Sequence, residues 1–271
     1  MFFYGKTDKG RIRATNQDNF LTMRIADNLL LLVLCDGMGG TSGGNIASAL
    51  AARTYAEYLE SVFDPKIGED GAFVPDGLDM ERALREAASA ANAAVYERAR
   101  ESSELANMGT TLVSALICDR TVYISNVGDS RMYMYVDGEL TQLTHDHSYV
   151  QMLVDMGMIT REEAATNPRR NILTRAVGTE KNIEVDITQM ELPSVDAYFL
   201  LCSDGLYNFL HKDDLEEILS TESYGFDDDY EADLAHRTDL MIDSANDNGG
   251  GDNITTILVR ITADGNGEAD E

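Results

Sequence analysis

The chain has 271 residues, room for one large domain or two small ones around a sizeable apolar core. Asp plus Glu number 48 against 21 Lys plus Arg, a net charge of −27, which disfavours nucleic acid and anionic membranes as partners and suits metal cations and basic segments. Three scattered cysteines, Cys35, Cys118 and Cys202, lie in or at the end of apolar runs, which argues against a disulfide framework or a zinc site and for free thiols in a reducing cytosol. No stretch approaches the ~20 apolar residues of a membrane span. Residues 1–6 lack the apolar core of a secretory signal, so the expected location is the cytoplasm.

Residues 1–20 mix polar and apolar side chains, with Gly10 as a turn. Within them, Arg13-Ala14-Thr15-Asn16-Gln17-Asp18 reads as a loop whose side chains grip both anions and cations. Residues 19–25 form a strand, Asp27-Asn28 a turn, and residues 29–35 a buried strand of unbroken apolar character. Ile46, Ala47, Leu50, Ala51, Tyr55, Tyr58 and Leu59 recur at helical spacing, predicting a helix from Gly44 to about Val62. Residues 64–78, with Pro65, Gly68, Gly71, Pro75 and Gly77, form a loop, and residues 79–101 a second long helix. The two helices are expected to lie antiparallel over one face of a sheet.

Strands follow at 110–117, 121–127 and 131–136, with Asp137-Gly138 as a hairpin signal, and connections this short require antiparallel pairing. Residues 146–157 and 160–165 read as short helices, 172–177 and 183–190 as further strands, and 197–202 as another buried strand. Helices at 212–220 and 229–245 and a last strand at 254–261 complete the pattern. In 131–136, Tyr133 and Tyr135 alternate with Met132 and Met134, as in a strand buried on both faces. Asp227-Asp228-Asp229 reads as a solvated loop and helix start. Paired helices beside antiparallel strands indicate one α+β layered domain over 1–262, with 263–271 an acidic flexible tail.

Three places share one grammar, an apolar strand followed by Asp and a small residue: Cys35-Asp36-Gly37, Gly128-Asp129-Ser130 and Ser203-Asp204-Gly205. A fourth, Gly251-Asp252-Asn253, immediately precedes a strand. Antiparallel strands can bring such ends to one edge of a sheet. Clustered carboxylates repel, so a cation should sit among them, and all-oxygen ligation favours Mg²⁺ or Mn²⁺ over Zn²⁺. Arg13 offers a fork for phosphate oxygens. Taken singly, each Asp-Gly is an ordinary turn, Asp129 has Arg131 as a possible salt-bridge partner, and Arg13 reads as a surface arginine.

Arg13-x-x-Asn16-Gln17-Asp18, Asp36-Gly37-Met38-Gly39-Gly40, Gly109-Thr110-Thr111, Gly128-Asp129-Ser130-Arg131, Leu143-Thr144-x-Asp146-His147-Ser148, Ser203-Asp204-Gly205 and Gly251-Asp252-Asn253 together resemble, in that order, the metal-dependent serine/threonine protein phosphatases of the PPM (type 2C) family, bacterial branch. The resemblance implies a four-layer α-β-β-α sandwich, two antiparallel sheets flanked by helix pairs, with the site in a cleft at one end. It implies two Mn²⁺ or Mg²⁺ ions, Asp36 bridging them, the Gly37 carbonyl on one, and Asp204 and Asp252 on the other, with a bridging water or hydroxide attacking phosphorus without a phosphoenzyme. Asp18 would act through water, Asp129 with Asp204 would hold a third, weaker ion, and Arg13 would bind substrate phosphate. Residues from about 146 to 175 would be a flap beside the cleft.

The implied partners are phosphoserine and phosphothreonine proteins and a serine/threonine kinase, the implied state a monomer. A phosphatase of small esters or of one dedicated phosphoprotein, and a module that keeps the fold without turnover, share the same motifs. Met38 stands where many eukaryotic members have His, a candidate general acid, and Gln17 where some have Glu. His145, His147, His211 and His236 show no ligand spacing, and His147 is expected to hydrogen-bond backbone.

Overall fold

The structure is a computed structural model, and it describes residues 1–39, 43–221, 224–226 and 229–262. Gly40, Thr41, Asp227, Asp228 and the tail at 263–271 lie outside the described residues. The first strands are β1 (Phe2–Asp8), β2 (Asp18–Ala26) and β3 (Leu29–Met38). Two long helices follow, α1 (Gly43–Phe63) and α2 (Met80–Ala99). Next come β4 (Gly109–Thr110), β5 (Leu112–Cys118), β6 (Thr121–Val127), β7 (Arg131–Val136) and β8 (Glu139–Gln142). The short helices α3 (Tyr149–Asp155) and α4 (Arg161–Ala165) lead to β9 (Asp186–Glu191) and β10 (Ala197–Cys202). The chain then forms α5 (Asp204–Tyr207), α6 (Lys212–Ser220), α7 (Tyr230–Asp247) and β11 (Ile254–Ile261).

The strands make two antiparallel sheets, one ordered β1-β11-β10-β7-β8 and the other β2-β3-β5-β6-β9 with β4 against β3. Three apolar layers hold four layers of structure. Leu30, Leu32 and Leu34 of β3 meet Phe199, Leu201, Ile257 and Val259 between the sheets. Leu29, Leu31, Val33 and Cys35 point the other way, onto α1 and α2. The unbroken apolar run of β3 thus reflects a strand covered on both faces. On the far side Leu200, Cys202 and Leu258 meet Leu215, Leu234 and Met241 of α6 and α7. Met132 enters the inter-sheet layer while Tyr133 and Tyr135 face these helices, as the alternation predicts. The Tyr55 hydroxyl, buried on α1, bonds Ser114 and Ser125 at 2.8 and 2.9 Å and ties that helix to its sheet.

Several expectations need correction. Residues 172–177 are not a strand. They make only isolated bridges, Ser148 to Leu173 and Thr110 to Val177, and Ile172 is exposed, so no neighbouring strand supplies a ladder. Residues 2–8, read as mixed, pair with β11 over their whole length as an edge strand, whose half-exposure blurs the alternation. The strand expected at 183–190 runs from Asp186 to Glu191. Asp137 and Gly138 adopt φ of 51° and 84° and turn β7 into β8, which realises the hairpin signal. Asp229 caps α7 by accepting from the Ala232 amide at 3.0 Å.

Candidate active site

Strand register gathers the carboxylates. Asp18, the first residue of β2, is the cross-strand partner of Asp36 near the end of β3. Cys202 at the end of β10 pairs with Arg131 at the start of β7 and with Thr256 near the start of β11. Asp204 therefore leaves β10, Asp252 enters β11 and Asp129 turns between β6 and β7 at one end of the sandwich. There Arg13, Asp36, Gly37, Asp129, Asp204 and Asp252 line a single cleft of about 490 Å³, with Met38, Thr111, Asn171 and Leu173. Asp18 does not line the cleft and lies buried beside Asp36 on the neighbouring strand.

Backbone contacts fix these positions. The Asp36 amide donates to Thr111 Oγ1 at 2.8 Å, and its carbonyl accepts from the Thr111 amide and from Thr110 Oγ1, both at 2.8 Å. A Cβ on Gly37 would stand 2.1 Å from the Gly44 carbonyl oxygen, and one on Gly205 would stand 1.9 Å from that of Asn253. Both glycines are required by close backbone approach beside a carboxylate. Asn253 accepts from the Gln17 amide and donates to the Lys9 and Thr15 carbonyls, so it pins the loop that carries Arg13. Arg13 Nη2 donates to Asp252 Oδ2 at 2.7 Å.

The electrostatics are strained in one direction. Burial first, then Asp18, Asp204, Asp129 and Asp252, push the Asp36 carboxyl well above its ordinary range. Asp204 is raised likewise by burial and then by Asp129 and Asp252. Burial pushes Asp18 up to about 6, although Thr255 and Ser203 donate to its Oδ2 at 2.6 and 2.8 Å. Asp129 rises to about 7 through burial and then Asp146. The Oδ1 atoms of Asp18 and Asp204 are buried without a hydrogen-bond partner among the described residues. Uncompensated buried carboxylate oxygen is costly, and a hard cation is the group that fits such a donor set. As they stand, no three His, Cys, Asp or Glu side chains among the described residues form a ready-made ion cage.

Arg131 is not the partner of Asp129. It grips Asp146 through Nε and Nη2, at 2.7–3.0 Å, and lies 3.6 Å over the Tyr207 ring. The Tyr207 hydroxyl in turn donates to the Asp129 carbonyl at 3.1 Å. His147 Nδ1 accepts from the Gly128 amide at 3.1 Å, the backbone bond expected of it, and Nε2 faces Asp186. The thiols of Cys35, Cys118 and Cys202 are buried and raised chiefly by that burial, so none is a nucleophile. Ser203, Thr255, Tyr207 and Asn171 escaped sequence reasoning as parts of the site. The places of Ser203 beside Asp204 and of Asn171 within the expected flap at 146–175 were the signals that pointed toward them, and nothing pointed to Thr255 or Tyr207.

Residues 10–236 match the family described as Protein phosphatase 2C. The chain is 37% identical over 254 residues to the serine/threonine phosphatase stp of Listeria monocytogenes, covering 94% of this chain and 93% of that protein. Its fold is similar to that of the serine/threonine phosphatase Stp1 from Staphylococcus aureus, with a TM-score of 0.82, 36% identity, and coverage of 96% of this chain and 94% of that one. It is also similar to the catalytic domain of the serine threonine protein phosphatase PstP in complex with two manganese ions, with a TM-score of 0.77, 32% identity, and coverage of 96% and 98%.

Proposed function

The chain belongs to the protein phosphatase 2C family and is a serine/threonine protein phosphatase, and from that premise we propose that the cleft uses two Mn²⁺ or Mg²⁺ ions, held by Asp36, the Gly37 carbonyl, Asp204 and Asp252. The observation that carries this reading is the meeting of Asp36, Asp129, Asp204 and Asp252 with Arg13 in one cleft, backed by the partnerless buried oxygens of Asp18 and Asp204. When bound, such ions lower the pKa of water and supply the nucleophile for direct attack on phosphorus. The manganese-bound neighbour supports divalent-metal dependence.

The chain's own residues do the rest. Arg13, half-exposed at the cleft wall and paired with Asp252, would turn its fork to two phosphate oxygens, which would leave Asp252 free to act as a ligand. Asp18, beside Asp36, would act through water, and Asp129 with Asp204 would hold a third, weaker ion. Met38 lines the cleft and has no proton to give the departing serine or threonine oxygen. In the same reading residues 146–175 are a substrate-selecting flap, since Asn171 and Leu173 reach the cleft. The protein acts as a cytoplasmic monomer and opposes a serine/threonine kinase. Among the described residues no helix is long and apolar enough to cross a membrane. Calorimetric titration of Mn²⁺ into chelator-stripped protein tests the ligand set. Two ions should bind the wild type and at least one should be lost in Asp36→Asn, whereas unchanged binding in that variant would remove Asp36 from the set.

A further inference from the structure

Three cavities run into one another beside the flap. The cleft shares Asp129 and Asn171 with a cavity of about 230 Å³ lined by α3 and α4. That cavity shares Arg131, Gln142, Arg161 and Tyr207 with a groove of about 720 Å³ between the β7–β8 hairpin and the start of α6. The walls of this trough of cavity and groove are more basic than the chain's overall charge would suggest. In a chain with 48 acidic and 21 basic residues, Arg131, Arg161, Arg170 and Lys212 line it against Asp129, Asp146 and Glu139.

Not all these cations are committed. Arg131 is spent on Asp146 and Tyr207. Arg170 gives one nitrogen to the Ala165 carbonyl at 3.2 Å. Lys212 pairs loosely with Glu216 at 3.5 Å and is 54% exposed. Arg161 lines both the cavity and the groove, and it makes no hydrogen bond or salt bridge among the described residues. A guanidinium with no hydrogen bond or salt bridge, only the nearby charges of Asp155 and Glu162, and a loosely held ammonium around one groove suit an anion with several acceptor oxygens. A phosphate monoester carries close to two charges and three such oxygens, so it can engage the fork and the ammonium together, which a carboxylate does less well.

We propose that a phosphoprotein substrate lies along this trough, and that Arg161 and Lys212 receive a second phosphorylated serine or threonine near the one being hydrolysed. The inference rests on the cleft's assignment as the catalytic site. It makes multiply phosphorylated segments the preferred substrates, even though the molecule's overall charge repels them.

Peptides with one phosphothreonine, with a second phosphothreonine placed up to about five residues to either side, and with Glu in place of the second, test it, since an extended chain reaches only ~3.3–3.6 Å per residue. At some spacing the doubly phosphorylated peptide should show a kcat/KM about 3- to 10-fold above the singly phosphorylated one, between the value of an exposed ion pair and that of a charge-assisted bond. That ratio should fall toward one in Arg161→Ala and in Lys212→Ala, reverse in Arg161→Glu, and shrink with added salt. A merely structural role would not move the ratio or its salt dependence. A wild-type ratio of one at every spacing, or a ratio that survives both alanine variants, overturns the proposal. Glu peptides equal to the doubly phosphorylated ones overturn its phosphate assignment. Turnover of a small aryl phosphate by the wild type with Mn²⁺, measured alongside, shows separately whether the catalytic reading stands.

Discussion

Asp18 and Asp36 are directly opposite one another across β2 and β3, two carboxylates at one register position at the site end of the sheet. Like charges so placed destabilise a strand pair. Here the cost is held in place by hydrogen bonds: Ser203 and Thr255 donate to Asp18, the Thr110 hydroxyl and the Thr111 amide donate to the Asp36 carbonyl, and the Asp36 amide donates to Thr111 Oγ1. A site kept in this state has something to gain from a cation.

That cost gives the metal-free protein a pH dependence. Asp18, with a folded pKa raised by burial to about 6, binds more protons folded than unfolded once pH rises above its ordinary range. Its share of stability is therefore present at low pH and falls as pH rises through about 6. Asp18→Asn should stabilise the chelated protein by about 1–3 kcal/mol at pH 7.5 and reduce the gain in Tm on adding Mn²⁺. Thermal unfolding with and without Mn²⁺ at pH 5.5 and 7.5 reads both. An Asn variant less stable than the chelated wild type at pH 7.5 would contradict the account.

Arg13→Ala should raise KM for phosphopeptides roughly 10- to 100-fold with a smaller change in kcat, the value of a charge-assisted phosphate contact. Steady-state kinetics decide it, and an unchanged KM would remove the phosphate-binding role.

Gly205→Ala tests the close approach of the Asp204 and Asp252 segments. The added methyl group meets the Asn253 carbonyl and must push the two segments apart, so both Mn²⁺ affinity and phosphate release should drop at least about tenfold. Gly138→Ala, whose Cβ would point into open space at a turn with φ of 84°, should cost about 1 kcal/mol of stability and leave activity intact. Equal activities in the two variants would remove the significance given to Gly205.

His147→Ala should remove the ring that accepts from Gly128, one residue before Asp129, and cost about 1–2 kcal/mol in denaturant unfolding. Burial holds the His147 ring below its ordinary pKa, so its contribution is present above about 6.5 and is lost as pH falls. The wild type should thus show an acid-side loss that this variant lacks.

Much of this architecture was legible because single residue types carry it. The run from Leu29 to Cys35 announced a strand covered twice, and Asp at four strand ends announced a cleft. β1 was not legible, since Phe2, Phe3 and Tyr4 are consecutive and the strand lies at a sheet edge. Residues 172–177 misled because Ile172, Leu173 and Val177 are apolar, yet here they serve a segment whose backbone bonds go to Tyr149, His147 and Thr110 rather than to a ladder. Ser203 and Thr255 are small hydroxyl residues in or beside strands, where composition cannot separate a carboxylate's donor from an ordinary β-former, and Thr111 holds the Asp36 backbone rather than its carboxylate. Their roles follow only from register.

The central claim is that Asp36 anchors a metal-dependent phosphatase centre. Phosphate release from a phosphothreonine peptide by chelator-stripped protein, followed across a Mn²⁺ series for wild type and Asp36→Asn, tests it most directly. The account predicts no release without metal, saturable activation of the wild type, and a loss of at least about 1,000-fold in the variant at every Mn²⁺ concentration. Release by the wild type in excess chelator, or wild-type turnover by Asp36→Asn, would contradict it.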